Sequence, residues 1–382
     1  MPVTKNRKTR LLMVINNVEF FLSHRLPVAL AAQRAGFDVH IATGDLHKND
    51  RLANHGLEHH LVPISRSGKA FIPELITFYK LFTLFVRTKP SIVHLVTIKP
   101  ILYGCLAARL VGIKGVVAAI SGLGFVFSND KVFTKLVRYL VKKFYWLGLR
   151  HKNLYIIVQN SHDKNILQKL TGLGGEKFFL LPGSGVDLRE YLNQPEPQGN
   201  PTVVMISRML VSKGVLEFVK ASTLLSGHSS NPSFVLVGAP DLQNPESVTE
   251  EQLHDWNKSG CIRWLGHQTE IAKILSASHI VVLPSFYGEG LPKVLIEAAA
   301  CGRAVITTNM PGCRDAIEPN VTGLLVPPKD AGELKKAIQS LLENTEKRKS
   351  MGLAARSRAE ELFQIKKITS AHIKIYQKLL NL

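Results

Sequence analysis

Cysteine is scarce. The chain of 382 residues holds four, Cys105, Cys261, Cys301 and Cys313, and no C-x-x-C pair. A disulfide framework is not expected, and a reduced, cytoplasmic protein is the simple reading. No D-x-D triplet occurs, and no histidine pair falls on one face of an expected helix, so no metal or other cofactor is expected. The adjacent His59 and His60 are expected at the surface. Long apolar runs are also missing. The greasiest stretch, residues 92–127, is broken by Lys99, Arg109 and Lys114, so no membrane-spanning helix is expected. Behind Lys5, Arg7, Lys8 and Arg10, the run Leu11–Ile15 is too short for the apolar core of a secretory signal. No short repeat, low-complexity tract or Ser-His-Asp arrangement stands out.

Negative charge is the other shortage. Lys and Arg number 48 against 29 Asp and Glu, a formal net charge of +19. Residues 1–199 carry 27 basic and 12 acidic side chains, against 21 and 17 in the remainder. The positive field therefore belongs to the first half, which should attract something anionic: nucleic acid, a phosphorylated substrate or a membrane surface. No nucleic-acid-binding module accompanies it, and the basic residues are not interleaved with aromatics, so nucleic acid is not an expected partner. Residues 131–152 put Lys131, Lys135, Arg138 and Lys142 on one helical face and Phe133, Leu136, Leu140, Phe144 and Leu147 on another. Such a basic amphipathic helix suits an anionic membrane surface. Packing of its apolar face on a domain core is the alternative.

What is present is alternation. Leu11–Ile15, Val39–Ala42, Ile92–Val96, Val116–Ile120 and Tyr155–Gln159 have the length and composition of buried strands. Residues 24–36 and 101–112 between them have helical periodicity, with Gly36 and Gly112 placed as C-caps. The pattern then restarts. Strands are expected at Thr202–Ser207, Ser233–Val237, Cys261–Leu265, Ile280–Pro284, Ala304–Thr308 and Gly323–Val326, and helices at 213–226, 269–277, 292–301 and 333–344. This order predicts an α/β protein of two Rossmann-like, doubly wound domains with an interdomain cleft, ligands binding at the carboxyl ends of the strands. Residues 1–190 form the first domain. A proline-bearing linker covers 191–201, the second domain 202–360, and a C-terminal helix in 361–382 packs back on the first.

Four segments could carry chemistry. In Pro284-Ser-Phe-Tyr-Gly-Glu289-Gly-Leu-Pro-Lys-Val-Leu-Ile-Glu297, a strand ends, a glycine-bearing turn follows, and a helix starts near Pro292. The backbone N–H groups of Gly290 and Leu291 then lie beside a positive helix end, a natural anion cradle. Glu289 in the turn and Glu297 in the helix suit hydrogen bonding to sugar hydroxyls. The alternative is that Glu289 favours the helix terminus and Glu297 is solvated. Arg208 and Lys213, in Ile206-Ser-Arg-Met-Leu-Val-Ser-Lys-Gly214, flank the turn after the second domain's first strand and could clamp a diphosphate; otherwise they are surface cations. Leu181-Pro-Gly-Ser-Gly185-Val-Asp187 is a glycine-rich turn, with or without a ligand. Ser121-Gly122, after a strand of the first domain, permits close backbone approach.

Taken together, "LPGSGVD", "ISRMLVSKG", "FVLVGAPD", "LPSFYGEGLPKVLIEAAACGRAVITT", "PGCRD" and "NVTGLLVPP" resemble, in order and spacing, the retaining glycosyltransferases of family 4, of GT-B architecture. The resemblance implies that Arg208 and Lys213 hold the donor diphosphate and stabilise leaving-group charge. It implies that Glu297 binds the nucleotide ribose, and that Glu289, Gly290 and Leu291, next to Pro292, hold the donor sugar, with Gly185 on the donor side. Acceptor-side positions are Asn16, Asn17, Ser121 and Gly122. Two departures stand out: many members have glycines where Asn16-Asn17 stand, and many have a cleft histidine where Ser121 stands. A group building lipid-linked bacterial surface polysaccharides is similar in both "GLGYVF"-like and "FFLSHRLP"-like segments (compare Phe20–Pro27). A UDP-sugar donor, a lipid-diphosphate-linked acceptor, metal independence and a place at the inner face of the cell membrane are the implied partners and setting. A nucleotide-sugar epimerase of the same architecture is the alternative.

Overall fold

The computed structural model describes residues 9–64, 71–123, 143, 145–242 and 244–381. They form two compact units, Met1–Ser184 with Lys367–Leu382, and Gly185–Lys366.

The first unit is built on seven parallel strands: β1 (Arg10–Val14), β2 (Asp38–Thr43), β3 (Glu58–Leu61), β4 (Ile92–Val96), β5 (Gly115–Ile120), β6 (Leu154–Val158) and β7 (Phe178–Leu180). Their order is β3-β2-β1-β4-β5-β6-β7, with Leu11 opposite Val39 on one side and Ile92 on the other. The chain first builds outward from β1 through β2 and β3, then returns to β4 and builds the other way. The switch therefore lies between β1 and β4. The continuous apolar composition of β1 follows from burial on both faces, because successive side chains point to opposite sides. Leu12 and Val14 join a core with Leu84 and Phe85 of the helix Phe71–Thr88. Leu11, Met13 and Ile15 join another with Phe21, Val28, Tyr376 and Leu379.

Tyr376 and Leu379 belong to the helix Ile365–Leu380. A side chain at Gly115 would come within 3.1 Å of the Leu379 Cβ, so glycine lets this helix close on the sheet. The Tyr376 hydroxyl meets His94 Nδ1 on β4 at 2.6 Å. The helix expected over 24–36 is Leu26–Arg34, and a further helix, Val18–His24, precedes it. Asn17 caps Val18–His24 by accepting from the Phe20 N–H at 2.8 Å. Gly112 is the left-handed C-cap of Ile98–Val111, and Gly36 (φ +91°) follows Leu26–Arg34.

The second unit holds β8 (Thr202–Ile206), β9 (Ser233–Val237), β10 (Arg263–Trp264), β11 (Ile280–Leu283), β12 (Ala304–Thr308) and β13 (Gly323–Val326), in the parallel order β10-β9-β8-β11-β12-β13. Its switch point lies between β8 and β11.

Two expectations need correction. Residues 191–201 are not a free linker but are fastened to the second unit. Tyr191 is buried, and the buried Arg303 guanidinium donates to the carbonyls of Gln194 (2.9 Å) and Pro195 (3.4 Å). Glu196 accepts both arms of the buried Arg348 at 2.9 Å. Beyond Tyr191, which joins the core, the segment is held by its polar groups, which hydropathy does not register. His59 is likewise not at the surface: it is buried on β3, where it meets Thr43 Oγ1 at 2.8 Å and takes the Asn49 N–H. Its neighbour His60 is half-buried and meets His40 at 2.8 Å. Strand alternation sends adjacent residues to opposite faces, so one of an adjacent pair on a half-covered strand goes inward.

Candidate active site

In the second unit, the loops leaving β8, β9, β11 and β12 meet at the carboxyl end of the sheet, beside the switch point, where open α/β sheets leave a crevice for ligands. Two glycines make the meeting close. Gly214 (φ +83°) lies so near the strand-ending Pro284 that a Cβ would come within 2.3 Å of the Pro284 carbonyl oxygen. At Gly238 (φ +138°), just after β9, a Cβ would come within 1.8 Å of the Ser207 carbonyl oxygen. The Phe286 N–H then donates to Ser212 O at 3.0 Å, stitching the loops that leave β8 and β11 together.

On this frame Lys213 and Glu289 form an ion pair with little solvent exposure, and Ser285 Oγ donates to the same Glu289 oxygen at 2.9 Å. Arg208 pairs with Asp241 at 2.8 Å, its side chain half exposed. Glu297 is buried in the helix Lys293–Ala300, whose N-cap is Pro292. Its carboxylate accepts from the Tyr191 hydroxyl at 2.7 Å and from Lys293 at 2.8 Å. Burial and the Glu297 charge push the Tyr191 phenol far above its ordinary range, so it stays a donor. The alternative of a solvated Glu297 is thereby set aside. The Glu289–Gly290 turn is backed by Gly312, where a Cβ would lie 2.4 Å from Gly290 O. Burial, with Glu289 nearby, pushes the neighbouring Cys313 thiol up to about 12, leaving it protonated.

Arg208, Lys213, Glu289 and Glu297 thus occupy one end of one sheet as three separate ionic groups, with Gly290, Leu291 and Pro292 in the turn joining the two glutamates. Gly185 (φ +81°) makes none of the described contacts to these groups. It precedes Val186, which exchanges backbone hydrogen bonds with the 363–365 segment. Asp241, Ser285, Lys293 and Tyr191 went unnoticed in the sequence. Lys293, at i, i+4 from Glu297, carried a usable signal, whereas Tyr191 carried none.

In the first unit, Asn16 sits at the switch point. Its side chain accepts from Thr97 Oγ1, after β4, at 2.8 Å, and its carbonyl takes the Gly44 N–H, after β2, at 2.9 Å. Asn17 serves as the helix cap. Ser121 and Gly122 (φ +103°) follow β5, and Ser121 Oγ accepts from Arg25 at 3.3 Å. Arg25 was passed over in the sequence although it lies inside Phe20–Pro27. Most of the basic amphipathic segment 131–152 lies outside the described residues. Among the described residues no cluster of three or more His, Cys, Asp or Glu could hold a metal ion, and no helix is long and apolar enough to cross a membrane.

Comparison with known proteins fits this geometry. Residues 189–358 match the family described as glycosyl transferases group 1, and residues 10–159 match glycosyl transferase 4-like, together most of the chain. Over 94% of its length the chain is 27% identical to 98% of the N,N'-diacetylbacillosaminyl-diphospho-undecaprenol alpha-1,3-N-acetylgalactosaminyltransferase of Campylobacter jejuni. Over 75% of its length it is 26% identical to 74% of the UDP-Gal:alpha-D-GlcNAc-diphosphoundecaprenol alpha-1,3-galactosyltransferase of Escherichia coli. The sucrose-phosphate synthase of Thermosynechococcus elongatus shares the fold, with a TM-score of 0.82 at 20% identity over 98% of this chain and all of that one. The HepE protein of Anabaena, solved in complex with UDP, does so at 0.75 and 16%, over 98% of this chain and all of that one.

Proposed function

The chain belongs to the GT-B glycosyltransferases of the group 1 and family 4-like type, and from that premise we propose that it moves a sugar, with retention, from a UDP-sugar to an undecaprenyl-diphosphate-linked sugar. The observation that carries this is the placement of Arg208, Lys213, Glu289 and Glu297 around one switch point. Two cations meet a diphosphate there, and two carboxylates meet the hydroxyls at its ends. The relatives from C. jejuni and E. coli, both named for diphospho-undecaprenol acceptors, support the acceptor class.

In the transfer, a hydroxyl oxygen of the acceptor bonds to the anomeric carbon as the bond from that carbon to the diphosphate breaks. The hydroxyl proton leaves with the departing phosphate or to solvent. Negative charge grows on the diphosphate, and Arg208 and Lys213 meet it with fixed positive charge. Such preorganised stabilisation is typically worth about 3–4 kcal/mol per donor, and it performs the role a divalent cation would otherwise have. Glu297 holds the ribose, Glu289 the sugar, and the first unit takes the acceptor.

The acceptor's lipid places the work at a membrane surface. Support comes from the helix Phe71–Thr88, which is apolar on two sides. Thr77, Leu81, Leu84 and Phe85 face the core. Ile72, Leu75, Ile76 and Tyr79, at i, i+3, i+4 and i+7, are 70%, 51%, 45% and 62% exposed. Lys80, Arg87 and Lys89 are exposed on and just beyond the same helix. An exposed apolar stripe with cations beside it suits the headgroup region of an anionic bilayer.

The test is incubation with a panel of radiolabelled UDP-sugars and undecaprenyl-diphosphate-linked glycans, followed by lipid extraction. Label in the lipid phase is expected. Conversion of a UDP-sugar without any acceptor would replace this reading with an epimerase.

A further inference from the structure

Among the described residues, three arginines are almost wholly buried: Arg303 (1% exposed), Arg25 (2%) and Arg348 (4%). Two are satisfied. Arg348 has a bidentate carboxylate at 2.9 Å and a carbonyl at 2.8 Å. Arg303 donates to four carbonyl oxygens between 2.8 and 3.4 Å. Arg25 is different. Its partners are the Ser121 hydroxyl at 3.3 Å, the Ser184 hydroxyl at 3.4 Å and the His24 carbonyl at 3.1 Å. Its Nε, also buried, has no partner. A guanidinium bound to an anion makes contacts near 2.7–2.9 Å, so these are the contacts of a cation waiting for a better acceptor.

Nor does any described carboxylate offset its charge. The ionisable groups that feel Arg25 are Tyr376, His94 and His372, all buried. Burial of an unpaired cation is costly, and it pulls Arg25 down to about 10. A fold tolerates such a group where a ligand supplies the missing charge.

The surroundings suit an anion with several oxygens. Ser121 follows β5 and Ser184 follows β7, so two strand-ending loops converge on the guanidinium. Arg25 is also the N-cap of the helix Leu26–Arg34, whose positive end adds to its field. Ser121 is only half-buried, so an oxygen displacing its hydroxyl has a way in.

We infer that Arg25, with Ser121 and Ser184, binds the diphosphate of the lipid-linked acceptor. This rests on the proposed reading of the acceptor. The donor's diphosphate is assigned to Arg208 and Lys213 in the other unit, which leaves the acceptor's as the one without a cation.

The experiment is binding of inorganic pyrophosphate to the full chain, followed by calorimetry and thermal shift, with UDP at saturation to fill the donor site. Wild-type protein should bind pyrophosphate, Arg25→Gln at least tenfold more weakly, and Arg25→Lys to an intermediate degree, because it keeps the charge and loses the fork. UDP affinity should be unchanged in both variants. In turnover, Arg25→Lys should raise the acceptor KM at least tenfold and leave the donor KM alone. Should Arg25→Gln fail to fold, Arg25→Lys decides. Pyrophosphate binding equal to wild type in the lysine variant, whatever its Tm, overturns the site and makes Arg25 a structural residue. A rise confined to the donor KM overturns the acceptor assignment and moves the site to the donor's diphosphate. Failure of UDP to bind at all counts against the proposed transfer reaction, while the pyrophosphate comparison still reports on Arg25.

Discussion

The Lys213 ammonium and the Glu289 carboxylate pair across the gap between the loop that leaves β8 and the loop that leaves β11, and Ser285 donates to the same carboxylate oxygen. The proposed clamp for the donor phosphate and the proposed holder of the donor sugar are therefore one electrostatic unit. Lys213→Ala should cut kcat/KM by about 10²–10³ and also lower Tm, because it takes the Lys213 cation from a carboxylate only 13% exposed. Arg208→Ala should cause a similar kinetic loss with Tm nearly unchanged, since its side chain is 51% exposed. Steady-state kinetics and calorimetric melting separate the two. Activity should survive EDTA, and its loss with restoration by Mg²⁺ would contradict a metal-free clamp.

The two glutamates should part company in binding. Glu297→Gln weakens the contacts to Tyr191 and Lys293 as well as the proposed ones to ribose, each charge-assisted bond worth about 1.5–3 kcal/mol. Titration with UDP should show at least a tenfold loss. Glu289→Gln should leave UDP affinity near wild type while depressing transfer. The opposite pattern would exchange the two roles.

Acid should loosen the first unit. His94 and His372 are buried and held neutral, His94 well below the usual imidazole value and His372 at about 4, chiefly by burial. Below about pH 6.5 the unfolded chain takes up protons that the folded chain refuses. Stability contributed by these groups is thus present above that pH and is lost as pH falls towards 4, by about 1.4 kcal/mol per unit for each histidine. Urea unfolding from pH 7 to 4.5 should show this slope, and His372→Gln should reduce it by close to one proton.

Glycine replacements should sort by what the Cβ meets. Gly112→Ala (φ +76°) opens into free space and should cost about 1 kcal/mol, the strain of a left-handed residue. Gly214→Ala and Gly238→Ala meet backbone carbonyls within 2.3 and 1.8 Å and should cost well over about 2 kcal/mol while disrupting UDP binding. Equal melting temperatures across the three would refute the close approach of the loops.

On vesicles, the exposed stripe of the helix Phe71–Thr88 should bind phosphatidylglycerol surfaces at low salt and release as salt rises. Serine at Ile72, Leu75, Ile76 and Tyr79 together should reduce sedimentation with vesicles about tenfold or more without lowering Tm. Persistence of binding would put the membrane contact on another surface.

The strands that could be read in the sequence were the ones buried on both faces. β1, β4, β8, β11 and β12 are near-continuous apolar runs bounded by turn residues, and they emerged within a residue or two. β3 and β7 did not, because Glu-His-His-Leu and Phe-Phe-Leu are short edge strands defined by their neighbours rather than by hydropathy. In the candidate site, the gathering of Arg208, Lys213 and Glu289 at one sheet end was legible because each stands in a turn just after an apolar strand. Tyr191 and Arg25 were not. Their significance arises from long-range partners, 106 residues away for Tyr191 and 96 or 159 for Arg25, and no local pattern reports an unmet charge.

The seat that Gly115 makes for Leu379 has a consequence for how the chain is made. β1 is made well before the second unit, yet the core that holds Leu11, Met13 and Ile15 is completed by Ile375, Tyr376 and Leu379, which follow it. The hydrogen bond from His94 to Tyr376 spans 282 positions. Ile375, Tyr376 and Leu379 are each at most 2% exposed, and burying each contributes about 1.5–3 kcal/mol. Until they emerge, that core lacks three of its buried members while the second unit is translated. A nascent chain stalled anywhere between residues 185 and 366 thus holds an unfinished first unit, with the apolar surface that Ile375, Tyr376 and Leu379 would cover still exposed.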